Sequence, residues 1–112
     1  MLTIEYVSSG KAYSDFEIEQ KAKEIIDTHQ EYLDQDMIYR TSTDNLIDAI
    51  RLYIVENDIN PEGWLQFQFS GIQMPVSKFG NPDEWAKGFC DKRHNMMARI
   101  LKRQTKLRIE TR

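Results

Sequence analysis

Between Trp64 and Val76 the sequence leaves little choice of local structure. Leu65, Phe67 and Phe69 alternate with Gln66 and Gln68, Ser70-Gly71 supplies a two-residue turn, and Ile72 and Met74 alternate with Gln73. Period-two alternation on both sides of a turn dipeptide specifies a β-hairpin over 64–76. With Ser70-Gly71 at the tip, Phe69 faces Ile72, Phe67 faces Met74 and Leu65 faces Val76, so the large apolar side chains share one face and the glutamines take the other. The 69/72 and 67/74 pairs exchange hydrogen bonds and 66/75 does not, which turns the missing N–H of Pro75 outward. Residues 72–76 are therefore expected at the edge of a sheet.

The same periodicities organise the rest. Leu2, Ile4 and Tyr6 alternate with Thr3 and Glu5, predicting a strand over 2–7 that ends in a Ser8-Ser9-Gly10 turn. Ser14 and Glu17 have capping-box spacing, with Tyr13 and Ile18 placed as a hydrophobic staple, so a helix is expected to begin there. Its apolar stripe is Ile18, Ala22, Ile25, Ile26, His29 and Leu33, and acids and lysines cover the other face. Met37–Thr41 reads as a short strand, with a continued helix as the alternative. Ser42 or Thr43 can cap a second helix carrying Leu46, Ile47, Ile50, Tyr53 and Ile54, closed by Asn57 and Asn60-Pro61. Asn81-Pro82-Asp83-Glu84 offers an N-cap, a first-turn proline and two acids, which predicts a third helix start. Residues 106–112 read as a last strand or an arm. The expected fold class is a small single α+β domain spanning 1–112. Its antiparallel or mixed sheet carries about three helices on one face, in the order β-α-(β)-α-β-β-α.

Size and composition agree with that class. A chain of 112 residues, 40% hydrophobic and 29% charged with 5 Gly and 3 Pro, has the balance of a folded domain. Cys90 is the only cysteine, which excludes an intrachain disulfide and a thiolate-rich zinc site. Met1–Lys11 lacks the pattern of a signal peptide and no apolar run is long enough to span a bilayer, so the expected location is the cytoplasm, with no membrane partner.

Charge is divided along the chain. Through Glu84 there are 6 Lys/Arg against 16 Asp/Glu, and from Trp85 onward 9 against 2, within a net charge of -3. On a helical projection Met96, Met97, Ile100 and Leu101 share one arc, and Lys92, Arg99, Lys102, Arg103 and Lys106 a neighbouring one. Arg93 falls inside the apolar arc. These six cations are the candidate contacts for a partner or an anion. The plain alternatives are that the basic arc is a solvated face, or that it docks on the acidic helix of the same or a second copy. Trp64, Phe79 and Trp85 bracket the hairpin with Tyr39. Aromatic residues of this kind serve as core or as interface anchors.

Chemistry is harder to find. His29 and His94 lie far apart, and His94 with Cys90 supplies only two ligands, so no metal site is expected. Cys90 beside Phe89 reads as a small buried hydrophobe before it reads as a nucleophile. The carboxylates of 17–36 follow the solvent face of a helix, and there is no phosphate loop, dinucleotide fingerprint or nucleophile elbow. No enzyme activity and no cofactor are expected. The run Gly80–Asp91 resembles a tryptophan, Gly-Phe, Asp pattern near the end of some bacterial defence-type ATPases. Those ATPases require the phosphate loop that this sequence lacks, so the resemblance implies no activity.

The leading expectation is a non-enzymatic binding or inhibitory protein acting through protein contacts, of the sort that small accessory genes of bacteria or phages encode. A homodimer through edge strand 72–76 is compatible with it. The alternatives are a nucleic-acid-binding regulator using the basic arc, and a nucleotide or small-ligand binding protein.

Overall fold

A computed structural model describes residues 1–86. It contains β1 (Leu2–Lys11), α1 (Ile18–Glu31), β2 (Met37–Thr41), α2 (Asn45–Glu56), β3 (Leu65–Phe69) and β4 (Ile72–Pro75). The sheet order is β2-β1-β3-β4, with β1 parallel to both neighbours and β3 antiparallel to β4. The mixed α+β architecture is thus as expected, with two helices among the described residues. The basic helix expected after residue 88 lies outside them.

The hairpin has the register that alternation dictates. Phe69 pairs Ile72, Phe67 pairs Met74 and Gln66 pairs Pro75, and the Val76 N–H donates to the Leu65 carbonyl at 3.1 Å. Ser70 (φ 50°) and Gly71 (φ 77°) both sit in the left-handed region, as a tight hairpin turn whose twist matches the strands requires. Leu2, Ile4, Leu65, Phe67 and Met74 are buried on one face of the sheet against Ile18, Ala22, Ile25 and Ile26 of α1 and Leu46, Ile47 and Ile50 of α2. The opposite face is mostly polar, with Ile38 exposed on it beside Thr3. There Gln66 donates to Thr3 Oγ1, and Glu5 accepts from both Arg40 and Gln68. Both crossover helices therefore cover the same face, while β1-α1-β2 steps one way across the sheet and β2-α2-β3 steps back the other way past β1, so the two crossovers have opposite hands. That departs from the usual right-handed rule.

α2 is the central helix and is buried on nearly every side, from Leu46 to Val55. α1 lies alongside, joined to it where the Tyr53 hydroxyl donates to Asp27 Oδ1 at 2.8 Å and Lys23 donates to Asp27 Oδ2 at 2.6 Å. These two donors hold the Asp27 carboxyl below its ordinary pKa. Asn57 closes α2 as expected, its side-chain N–H donating to the Tyr53 carbonyl at 2.8 Å.

Four sequence expectations are corrected. β1 does not stop at residue 7: Tyr6 and Lys11 both pair with Thr41, and the intervening serines are absorbed as a bulge. Gly10 passes so close to the Thr41 backbone that a Cβ would come within 2.6 Å of it. α1 begins at Ile18, with Glu17 at its N-cap and no side-chain cap hydrogen bond, because 14–17 forms a turn in which the Glu17 N–H donates to the Ser14 carbonyl. Neither Ser42 nor Thr43 caps α2, whose N-cap is Asp44. Thr43 is instead engaged with Thr41 and Asn45. Finally, no helix begins at Pro82. Gly80 (φ 82°) turns the chain, Ser77 donates to the Asn81 carbonyl, and Pro82 bridges Val76 in antiparallel fashion. A cap residue followed by proline suits a tight turn as well as it suits a helix start.

Candidate functional site

The residues singled out in the sequence do not form one site. Lys92, Arg93, Arg99, Lys102, Arg103 and Lys106 lie outside the described residues. Trp64 stacks on His29 with ring centroids 5.5 Å apart and donates its indole N–H to the Asn60 carbonyl at 2.8 Å, so it serves the core at the C-terminal end of α1. Phe79 is half-buried, with the Lys78 ammonium 5.2 Å from its ring centroid. Trp85 stacks on Phe67 at 6.0 Å and on its other account lies 4.9 Å from the Arg51 guanidinium.

Trp85 belongs to a buried cluster that periodicity did not reveal. Asp48 and Arg51 are one turn apart on α2 and almost inaccessible, with Arg51 Nη1 3.5 Å from Asp48 Oδ1. Arg51 Nε donates to the Gly80 carbonyl at 3.1 Å. The guanidinium thus ties α2 to the 80–86 segment by a hydrogen bond and a cation–π contact while pairing with Asp48 on α2 itself. Between that segment and β4 runs an open groove of about 500 Å³, lined by Ile72, Met74, Pro75, Pro82 and Trp85 among others, with Asp83 and Glu84 on its rim. β4 is an edge strand as expected, and Ile72 is 52% exposed. Pro75 leaves Gln73 as the outward backbone N–H of β4, which blunts that edge for strand pairing.

The outer side of α1 and its two ends are accessible. Glu17, Glu24, Glu31, Asp34 and Asp36 are exposed along it. At its start Phe16 is fully exposed, and at its end Tyr32 and Leu33 are about half-exposed, Leu33 at 54%. Leu33 was expected on the buried stripe. It is not, because α1 ends at Glu31 and the chain turns away before the next helical position is reached. Phe16 lies off the Ile18–Ala22–Ile25 spacing, a sequence signal for exposure. Apolar side chains thus stand exposed at both ends of an acidic helix face.

His29 is fully buried, and neither ring nitrogen has a hydrogen-bond partner. Burial, aided by the N-terminal ammonium, holds its pKa below the ordinary value. The imidazole is therefore neutral in the fold, whereas the unfolded chain takes up a proton as pH falls through about 6.5. His29 thus contributes stability that is present above that pH and lost below it. The melting temperature is expected to fall between pH 7.5 and pH 5.0, and to fall less in His29→Phe, which keeps a ring against Trp64. Equal falls in the two proteins would rule out this origin.

No protein-family model, no curated protein and no solved structure matches this chain significantly. Among the described residues no helix is long and apolar enough to cross a membrane, and no group of three metal-ligating side chains converges.

Proposed function

We infer that this chain is a protein-binding domain that acts by occupying a basic surface on its partner. The observation that carries this reading is the charge of residues 1–86, where 6 Lys/Arg stand against 16 Asp/Glu. Four of those six cations are already paired with acids, in Lys21–Glu24, Lys23–Asp27, Arg40–Glu5 and Arg51–Asp48. The surplus is therefore carboxylate, and it steers association with cationic surfaces. The outer side of α1, flanked by Phe16 and by Tyr32-Leu33, is the contact surface this reading favours.

The test is capture from host lysate with the full chain as bait. A stoichiometric basic protein should be retained at low salt and eluted as salt rises. Glu24→Lys/Glu31→Lys should weaken its binding by about tenfold or more. Retention unchanged by that double substitution would remove α1 as the contact surface, and recovery of no protein would remove the reading.

A second reading rests on the 9 Lys/Arg against 2 Asp/Glu after Glu84. It makes the chain a nucleic-acid binder through Lys92, Arg99, Lys102, Arg103 and Lys106. Oligonucleotide affinity should then fall linearly on a log-log salt plot and be lost in Lys102→Glu/Arg103→Glu. Salt-independent or absent binding excludes it.

A further inference from the structure

Across the polar face of the sheet, Arg40, Glu5 and Gln68 sit in one register row, contributed by β2, β1 and β3. Glu5 is clamped from both flanks: Oε1 accepts from Arg40 Nε at 2.9 Å and Oε2 from Gln68 Nε2 at 2.8 Å. A carboxylate has about four lone-pair sites, so each oxygen retains acceptor capacity. The Glu5 side chain is 21% exposed. It is thus held in a fixed orientation and remains reachable.

Directly beyond this row lies a crevice of about 470 Å³ at the carboxyl ends of the parallel strands. Each of the three strands delivers one serine to it: Ser8 from the β1 bulge, Ser42 just after β2 and Ser70 just after β3. Glu5 lines it, and Tyr6 and Phe69, with ring centroids 5.7 Å apart, belong to its wall. It stands at the carboxyl-end side of β1, β2 and β3, the side on which open parallel sheets usually bind ligands. The bulge at 7–10 adds to it by carrying Ser8 off the strand's regular path.

The lining selects among ligands. Its volume lies within the range of small-molecule sites, about 300–1,000 Å³. Among the described residues no lysine or arginine lines it, and residues 1–86 carry excess negative charge, so anions are disfavoured. A fixed carboxylate accepts two hydrogen bonds from adjacent hydroxyls, and the serines both donate and accept. We propose that the crevice where Glu5, Ser8, Ser42 and Ser70 converge binds a neutral ring bearing a vicinal diol, the chemistry shared by ribonucleosides and pyranose sugars.

The experiment is a titration of the full ¹⁵N-labelled chain, followed by amide chemical shifts, with adenosine, 2′-deoxyadenosine and methyl glucoside as separate arms. Saturable shifts confined to residues 5–8, 42 and 68–71 are expected with adenosine, methyl glucoside or both, and the arm that responds identifies the source of the diol. If adenosine responds, 2′-deoxyadenosine should bind roughly tenfold more weakly or worse, because a site built around a hydroxyl rejects the analogue lacking it. Glu5→Gln should weaken binding of the responding ligand to a similar degree. Should Glu5→Gln unfold, Ser8→Ala and Ser42→Ala, which leave the Arg40–Glu5–Gln68 row intact, must each reduce affinity. The proposal is overturned by saturable shifts in neither diol arm, by equal binding of adenosine and its deoxy analogue, or by affinity that these substitutions leave unchanged.

Discussion

Replacing Arg51 with alanine is expected to destabilise the fold by about 3–5 kcal/mol, read as a lowered midpoint in urea unfolding followed by circular dichroism. Arg51 is 2% exposed and Asp48 4%, so deleting the guanidinium leaves a carboxylate in a low-dielectric setting without that counter-charge. The same deletion removes the Nε–H bond to the Gly80 carbonyl and the contact with the Trp85 ring. Arg51→Lys should recover only part of the loss, since an ammonium lacks the planar fork that serves an acceptor and an aromatic face together. Asp48→Ala/Arg51→Ala should cost less than the two single changes combined, with a coupling of about 0.5–3 kcal/mol. An Arg51→Ala cost under about 1 kcal/mol would mean that the 80–86 segment is held to α2 by other contacts.

Against a total stability of about 5–15 kcal/mol for a domain of this kind, that loss is a large share. It also shows where the sequence was silent. Asp48 and Arg51 fall three residues apart on α2, and in a periodicity plot a charged pair at that spacing marks the solvent side of an amphipathic helix. Arg51 is instead engaged by the 80–86 segment, through the Gly80 carbonyl and the Trp85 ring, and no local pattern on α2 encodes that contact. The hairpin and β2 were legible because their signals are local. In the hairpin the turn dipeptide and the alternation of Leu65–Met74 point to one register, and Met37–Thr41 forms the strand its residues prefer. Where a local signal admits two geometries, tertiary contacts decided between them. Ser8-Ser9-Gly10 reads as a turn but becomes a bulge because Thr41 lies against Gly10. Asn81-Pro82 reads as a helix start but is drawn into a bridge with Val76. The serine-lined crevice was invisible for a related reason: Ser8, Ser42 and Ser70 are distant in sequence and are brought together only by the fold, in the β1 bulge and just after β2 and β3.

Phe67→Ala is expected to cost about 3–5 kcal/mol, the range for emptying an aromatic site in a packed core. Phe67 is wholly buried on β3, beside Ile4 on one flank and Met74 on the other, with Trp85 stacked above it. The cavity left by its ring borders the sheet and the 80–86 segment, and neither can close on it readily, since β3 is paired on both sides and Trp85 is held by Arg51. Alternation alone would assign Ile72 the same standing, because it lies on the same face of the same hairpin. Its 52% exposure gives a different expectation. Ile72→Ala should change stability by about 0.5 kcal/mol or less, as surface substitutions do. Thermal unfolding separates the two variants, because each 1 kcal/mol moves the midpoint of a domain this small by about 4–8 °C. Comparable losses at 67 and 72 would mean that Ile72 is covered in solution, and the β4 groove would then be an occupied interface.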